Sequence, residues 1–206
     1  MADNANRPSG LKPVGNINGG TFVGHVGTYF VPSTDGTAIG LGDPVVLGGT
    51  AGAAGTVVYG VSVEGMPTVA RAVAGSTPVG VVVGFSPNQS DLSVKHRAAS
   101  TARLVYVADD PNLIMEVQED SLVSGIAVAE IGEGADLVMG TVNATTGNGE
   151  TMLDSSTHAT TATTVRILRL VPRPDNEIGD GGITDKRYAK FYVTWIEHQF
   201  KSTAAI

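Results

Sequence analysis

The sequence predicts a mainly β protein, a small β-barrel or sandwich with an extended N-terminal arm, long loops and little helix. Nine short runs rich in Val, Ile, Tyr, Phe or Thr are bounded by Gly, Pro, Asn or Asp, as strands between turns are. The 27 glycines among 206 residues are nearly twice the ordinary share of about 7%. Many short strands at such spacing favour a barrel or a sandwich. The nine runs span residues 21–31, 43–49, 55–65, 67–74, 77–85, 102–108, 112–119, 163–171 and 189–200.

The order of these runs predicts a single β-rich domain over residues 21–206. The stretch 141–164 is polar and Thr-rich without any period, so we expect an exposed excursion from that domain. The one helix that the sequence favours spans 124–134, where Ser124 would cap the first turn and Gly132 would end the second.

The first twenty residues differ in kind from the rest and are interpreted as an extended arm, 1–20. Leu11, Val14 and Ile17 stand three residues apart among Asn, Gly and Pro. In an extended chain such side chains enter shallow pockets on a neighbouring surface while the backbone stays solvated. We therefore expect these three residues to contact a partner, the alternative being a frayed terminus.

The composition excludes several classes of protein. Cysteine is absent, which removes disulfides, thiolate metal sites and a cysteine nucleophile. A net charge of −7 would repel phosphate backbones, so nucleic acid is not an expected partner. No apolar run approaches the length of a membrane span, so no membrane association is expected either. Charged residues make up 16% of the chain against about 25% in ordinary domains, which suits a surface covered by other subunits or a bland Thr-rich β domain.

The motifs that suggest catalysis do not have the spacing that catalysis needs. GVSVEG places Ser62 in a near match to the nucleophile elbow, but Glu64 stands where the second glycine belongs. The glycines of 40–49 resemble a phosphate loop but lead into Asp43 and Pro44 rather than a helix N-terminus. The four histidines have no ligand spacing. We expect no catalytic residue, no metal ligand and no cofactor.

An acidic run, VYVADDPNLIMEVQED over 105–120, raises the question of a carboxylate site. Its five carboxylates are Asp109, Asp110, Glu116, Glu119 and Asp120. Asp110, Pro111 and Asn112 have the preferences of a tight turn, so the run is interpreted as a β-hairpin.

The faces of the second strand of this hairpin follow from the alternation of a β-strand. Leu113, Met115 and Val117 point one way, and Glu116 points the other way, onto the opposite face of the strand. Because the turn and the strand end are too far apart for paired acid/base carboxylates, we expect no catalytic site here. The five carboxylates are instead candidates for contacts between subunits.

Several segments, taken in their order along the chain, resemble the head decoration, or cement, proteins of tailed bacteriophages. They are GLGDPVVLGG, PVGVVVGFSPN, RLVYVADDPNLIMEVQED, and RILRLVPRPDNEIG followed by AKFYVTWIEHQF. The resemblance implies a non-enzymatic β-rich protein, made in the bacterial cytoplasm, that lies on the outer surface of the capsid. It further implies that the protein bridges neighbouring major capsid protein subunits as a homotrimer, with a dimer as the alternative.

Two other functions remain open at this point. One is another virion or tail-associated β-structural protein, such as a tube or fibre component. The other is a calcium- or carbohydrate-binding β-module that would use Asp109, Asp110 and nearby oxygens as ligands.

Overall fold

The computed structural model describes residues 4–120, 125–159, 161, 164–179 and 187–201. Within that part the chain is mainly β, as predicted, with two 3₁₀ helices of three residues, Val128–Glu130 and Gln199–Lys201. No helix in the described residues has the length and apolar character needed to cross a membrane. The strands are β1 (Lys12–Asn16), β2 (Gly27–Val31), β3 (Pro44–Ala51), β4 (Val57–Val58), β5 (Val61–Ser62), β6 (Pro67–Arg71), β7 (Gly80–Phe85), β8 (Arg103–Ala108), β9 (Leu113–Gln118), β10 (Gly134–Ala135), β11 (Leu137–Val138), β12 (Met152–Leu153), β13 (Val165–Leu170) and β14 (Lys190–Trp195).

Five strands close a barrel in the order β2-β6-β3-β7-β8. Neighbouring strands are antiparallel except β2 and β6, which are parallel. Val105 and Val107 of β8 point into the barrel, whereas Leu104 points outward and packs with Phe30 beneath the β4–β5 hairpin. The period of two in the valine-rich runs therefore fills the barrel with one set of side chains and covers its wall with the other.

A second, antiparallel sheet has the strand order β1-β9-β14-β13-β10. Its inner face carries Met115, Phe191 and Val193, which pack in one buried cluster with Val81 and Ala108 of the barrel wall. The main apolar core thus lies between this sheet and the outside of the barrel. The opposite face of the sheet points away from the barrel.

The strand predictions are confirmed, and the helix prediction is wrong. Each of the nine predicted runs overlaps at least one strand of the structure. In place of a two-turn helix over 124–134, only Val128–Glu130 is helical, and Gly134–Ala135 pairs with β13. Ala127 forms an isolated bridge to Gly179, so this segment has backbone partners that are distant in sequence. Ser124 lies outside the described residues.

The predicted turn at 110–112 is present, but the hairpin built on it is not. The Asn112 N–H donates to Asp110 Oδ1 at 2.8 Å, and the Leu113 N–H donates to the Asp110 carbonyl at 3.2 Å. However, β8 pairs with β2 and β7 in the barrel, while β9 pairs with β1 and β14 in the other sheet. The turn therefore carries the chain from one sheet to the other, because each flanking strand finds its partners elsewhere.

Segment 1–20 was expected to leave the domain as an arm. The pairing of β1 contradicts that interpretation for the part of the segment that the structure describes. β1 is hydrogen-bonded along β9, and the Leu11 N–H donates to the Gly42 carbonyl at 2.9 Å. Leu11 is 1% exposed and belongs to the main core. The physical reason is that burial of Leu11 is favourable, and that the extended residues after it can pair with an open sheet edge. Both together are more stable than a solvated arm.

The polar stretch 141–164 likewise returns to the domain instead of forming an exposed excursion. β12 pairs with β11, and Leu153, Thr151 and Ser155 are buried. The Leu41 N–H donates to the Gly147 carbonyl at 2.8 Å. The Thr151 hydroxyl donates to Asp43 and the Ser155 hydroxyl donates to Asp120 inside the fold, which is why a polar composition does not make this part of the stretch exposed. Residues 160, 162 and 163 lie outside the described part.

Candidate functional site

The two carboxylates of the turn, Asp109 and Asp110, are bound by donors from other strands. The Tyr29 hydroxyl donates to Asp109 Oδ2 at 2.7 Å, and the Asn16 side-chain amide donates to Asp110 Oδ2. Burial raises the pKa of Tyr29, and the hydrogen bond to Asp109 raises it further. These carboxylates therefore fasten β2 and the end of β1 to the crossover between the sheets.

Glu116 lies on the predicted face of β9, opposite Leu113, Met115 and Val117, but it is buried there. Its side chain points away from the core, as the alternation requires, but Glu116 is only 6% exposed. Arg173 Nη2 donates to Glu116 Oε2 at 2.6 Å and covers the carboxylate. The loop that brings in Arg173 is distant in sequence, so local alternation could not predict this burial.

The strand-end carboxylates Glu119 and Asp120 also act within the chain. Glu119 is fully buried and accepts hydrogen bonds from the Ile126 N–H at 2.7 Å and the Ala189 N–H at 3.1 Å. Burial raises the pKa of Glu119 to about 7, although both hydrogen bonds oppose this rise. Asp120 accepts from the backbone N–H and the hydroxyl of Ser155. The five carboxylates of the acidic run are thus not brought together, and each has a partner in its own chain.

The three apolar residues of the N-terminal segment are also separated by the fold. Leu11 is in the core, whereas Val14 is 36% and Ile17 is 51% exposed. The Ile17 N–H donates to the Asn112 carbonyl at 2.9 Å, which holds this part of the chain against the crossover turn. Only Val14 and Ile17 are therefore open to the partner contact that the sequence suggested.

A surface that the sequence reading missed lies on the outer face of the five-stranded sheet, and we call it the basic face. One row across four strands is set by the register Lys12–Glu116–Tyr192–Arg169. Directly paired residues on one face lie about 5 Å apart at Cα. The Arg169 guanidinium stacks over the Tyr192 ring at 5.1 Å from its centroid. Lys12 and Arg169 are both exposed.

Further cations extend the basic face beyond this row. Arg166 occupies an outward position on β13, and Lys190 occupies one on β14. Within β1, β9, β13 and β14, all of whose residues the structure describes, Glu116 is the one acidic residue and is already paired with Arg173. The basic face is defined here by Arg7, Lys12, Arg166, Arg169, Arg173 and Lys190.

This concentration of cations is unusual for the chain that carries it. The chain holds 13 lysines and arginines against 20 acidic residues, and the six just named stand on one side of one sheet. Arg71, Arg97 and Arg103 are instead enclosed by carbonyl oxygens or a carboxylate inside the fold. The basic face therefore has a local charge opposite to that of the whole protein, with exposed Asp175 and Glu177 near one end.

The signal for this face was present in the sequence as alternation. In β14, Phe191, Val193 and Trp195 point inward, which leaves Lys190 and Tyr192 facing outward. In β13, the outward set includes two arginines, but a bulge between Ile167 and Arg169 shifts the count by one and hides the pattern. Net charge alone masks the feature, because it averages the two sides of the molecule.

Comparisons with models of known protein families, with curated proteins and with solved structures found no match to this chain. Among the described residues, no group of three or more His, Asp or Glu side chains lies close enough together to hold a metal ion.

Proposed function

We propose that this protein is a structural virion component that binds the outer surface of a phage capsid and bridges neighbouring major capsid protein subunits through its basic face. The observation that carries the proposal is a basic sheet face on an acidic chain, together with the sequence resemblance to head decoration proteins. The protein acts as a homotrimer, and its partner presents an acidic surface.

The rigidity of the sheet supports a docking role for the basic face. Lys12 and Arg169 project from paired strands, so their positions are fixed by the backbone ladder rather than by a loop. Fixed cations that meet a complementary acidic surface speed association and set the orientation of docking. Arginine and tyrosine are also enriched at protein interfaces, as in the stacked pair of Arg169 and Tyr192.

Binding of this kind stabilises a capsid by linkage. A protein that binds only the mature arrangement of subunits stabilises it by about 2.7 kcal/mol per site at a free concentration of 100 Kd. A trimer that has docked one subunit holds the other two at an effective concentration near the millimolar range. A modest affinity at each basic face is therefore enough to strengthen the whole shell.

The test measures binding to capsids that lack this protein. Purified wild-type protein and the double variant Lys12→Gln with Arg169→Gln are titrated onto such capsids, and bound protein is counted after sedimentation. We expect the double variant to bind about tenfold more weakly, and the wild type to lose affinity as salt is raised. The matched control is Lys95→Gln with Lys201→Gln, which removes the same charge from exposed positions outside the basic face.

Electron microscopy of the same particles tests the location. Density on the outer shell between neighbouring subunits agrees with the proposal. Absence of binding by the wild type, or equal loss of binding by both double variants, contradicts it. Rings or stacked assemblies formed without capsids point instead to a tail or tube component.

A further inference from the structure

One end of the basic face contains a polar pocket. A cavity of about 260 Å³ lies where the N-terminal segment, the loop after β13 and the start of β14 meet. The residues that line it include Arg7, Arg173, Lys190, Tyr188 and Asp175. Three cationic groups from three separate segments therefore line one small cavity.

Hydrogen bonds hold these three segments in place around the cavity. The Asn176 side chain donates to the carbonyls of Val171 and Lys190 and accepts from the Lys190 N–H, all within 2.9 Å. Asn4 forms two hydrogen bonds with the backbone of Glu177, at 2.8 and 3.0 Å. A pocket braced in this way is formed before any ligand arrives, which lowers the entropic cost of binding.

The cations in the pocket have few anionic partners. Arg173 is bound to Glu116, but no carboxylate of the described residues lies within ion-pair distance of Lys190 or Arg7. Burial lowers the pKa of Lys190, and the nearby charges of Lys12 and Arg173 lower it further, although Glu116 and Asp175 oppose them. An anion between these groups would relieve both the repulsion and the loss of hydration.

The backbone at the rim of the pocket is strained. Tyr188 has a φ of 63°, in the left-handed region that a residue with a side chain seldom adopts. Such conformations persist where the surrounding structure enforces them, and they cluster at ligand sites. Tyr188 lines the cavity together with Lys190.

We propose that this pocket binds an oxyanion, a phosphate or carboxylate group held between Arg7, Arg173 and Lys190. Guanidinium and ammonium groups bind both anions with charge-assisted hydrogen bonds. The anion arrives either as a free small molecule or as an acidic side chain of a partner protein. The inference does not depend on the capsid proposal, since the isolated protein is sufficient to test it.

The experiment titrates the full-length protein with inorganic phosphate and, separately, with a hexaglutamate peptide, at low salt. Calorimetry gives the affinity, and amide chemical shifts give the location. We expect saturable binding of at least one probe, with shifts concentrated in residues 4–7, 173–176 and 188–190. Saturation by phosphate identifies a free small anion as the ligand, whereas binding of the peptide alone identifies partner carboxylates.

Variants distinguish binding in this pocket from nonspecific attraction of anions to surface charge. Lys190→Gln is expected to weaken binding about tenfold, the size of one lost charge-assisted contact, and Asp175→Asn to strengthen it. Lys201→Gln removes the same charge from an exposed position that does not line this pocket and is expected to leave the affinity unchanged. The inference is overturned by non-saturable binding of both probes, or by equal losses in Lys190→Gln and Lys201→Gln.

Discussion

Asp43 and Arg71 form a buried ion pair in which Arg71 Nη2 lies 2.8 Å from Asp43 Oδ1. The same Arg71 nitrogen donates to the carbonyls of Gly140 and Gly149, and the Thr151 hydroxyl donates to the same Asp43 oxygen at 2.8 Å. Burial raises the pKa of Asp43, although Arg71 opposes the rise. The pair joins the barrel to the segment around β12, in addition to the pairing of β11 with β12 and the burial of Leu153.

Replacing Arg71 with Met should be costly because it leaves the Asp43 carboxylate buried without its cation. Breaking such a pair destabilises a protein by about 3–5 kcal/mol. In Asp43→Asn with Arg71→Met the loss should be clearly smaller than the two single losses added together. Urea unfolding at pH 7 measures the three free energies. Simple additivity would contradict the coupling, and Lys95→Met at an exposed position serves as the control.

Gly149 is placed against the same ion pair, and a side chain there should disrupt it. A Cβ on Gly149 would lie 2.0 Å from Asp43 Oδ1. Gly149→Ala should therefore lower the free energy of unfolding by about 1–3 kcal/mol or more through overpacking. Gly36→Ala is the matched control, because nothing lies within 4 Å of its Cβ position, and it should change stability by less than about 1 kcal/mol. Equal effects in the two variants would contradict this account.

The strands and their alternation could be predicted from the sequence, because they depend on local chemistry. Leu113, Met115 and Val117 all enter the core as the period of two requires. The turn at Asp110 was also predicted, since its hydrogen bonds join residues two and three apart. The number and spacing of short strands predicted a barrel or a sandwich, and the structure contains a closed barrel.

What could not be predicted depends on contacts between distant residues. The partners of β8 and β9 are set by the sheet edge that each strand meets. The turn between them is compatible both with a hairpin and with a crossover between two sheets. The burial of Glu116 needs Arg173, which lies 57 residues further along the chain. Alternation indicates which cations of a strand face outward, but bringing them onto one face needs the register of four strands, which local sequence does not contain.

Glu119 should make the protein less stable as pH rises. Its pKa is raised from 4.5 to about 7 by burial, so between these values the native carboxyl keeps a proton that the unfolded chain has lost. Stability from this group is present below pH 4.5 and falls by about 1.4 kcal/mol per pH unit through the window, or about 3 kcal/mol in all.

Glu119→Gln removes this titration and should abolish that fall. Urea unfolding of wild type and variant from pH 4 to 8.5 gives the difference in free energy at each pH. The difference should change most between pH 4.5 and 7, the two ends of the window. A difference that stays constant across the range would show that Glu119 titrates alike in the folded and unfolded chains.

His198 should have the opposite dependence in an overlapping window. It is 1% exposed, its Nδ1 accepts from the Phe200 N–H at 3.1 Å, and burial together with Lys201 lowers its pKa from 6.5 to about 4. The folded imidazole stays neutral where the unfolded one gains a proton. Stability from His198 is therefore present above pH 6.5 and lost as pH falls toward 4, again by about 3 kcal/mol.

The contributions of Glu119 and His198 to the pH dependence of stability should cancel in the wild type between about pH 4.5 and 6.5. Their slopes of about 1.4 kcal/mol per pH unit have opposite signs. Single variants should expose each slope. His198→Asn keeps an acceptor for the Phe200 N–H and should leave a stability that falls with rising pH, whereas Glu119→Gln should leave one that rises. The double variant should again be flat, though less stable throughout. The slope of each single variant is taken relative to the double variant, which cancels the titration of other groups such as Asp43. Relative slopes of the same sign in the two single variants would contradict the assignment.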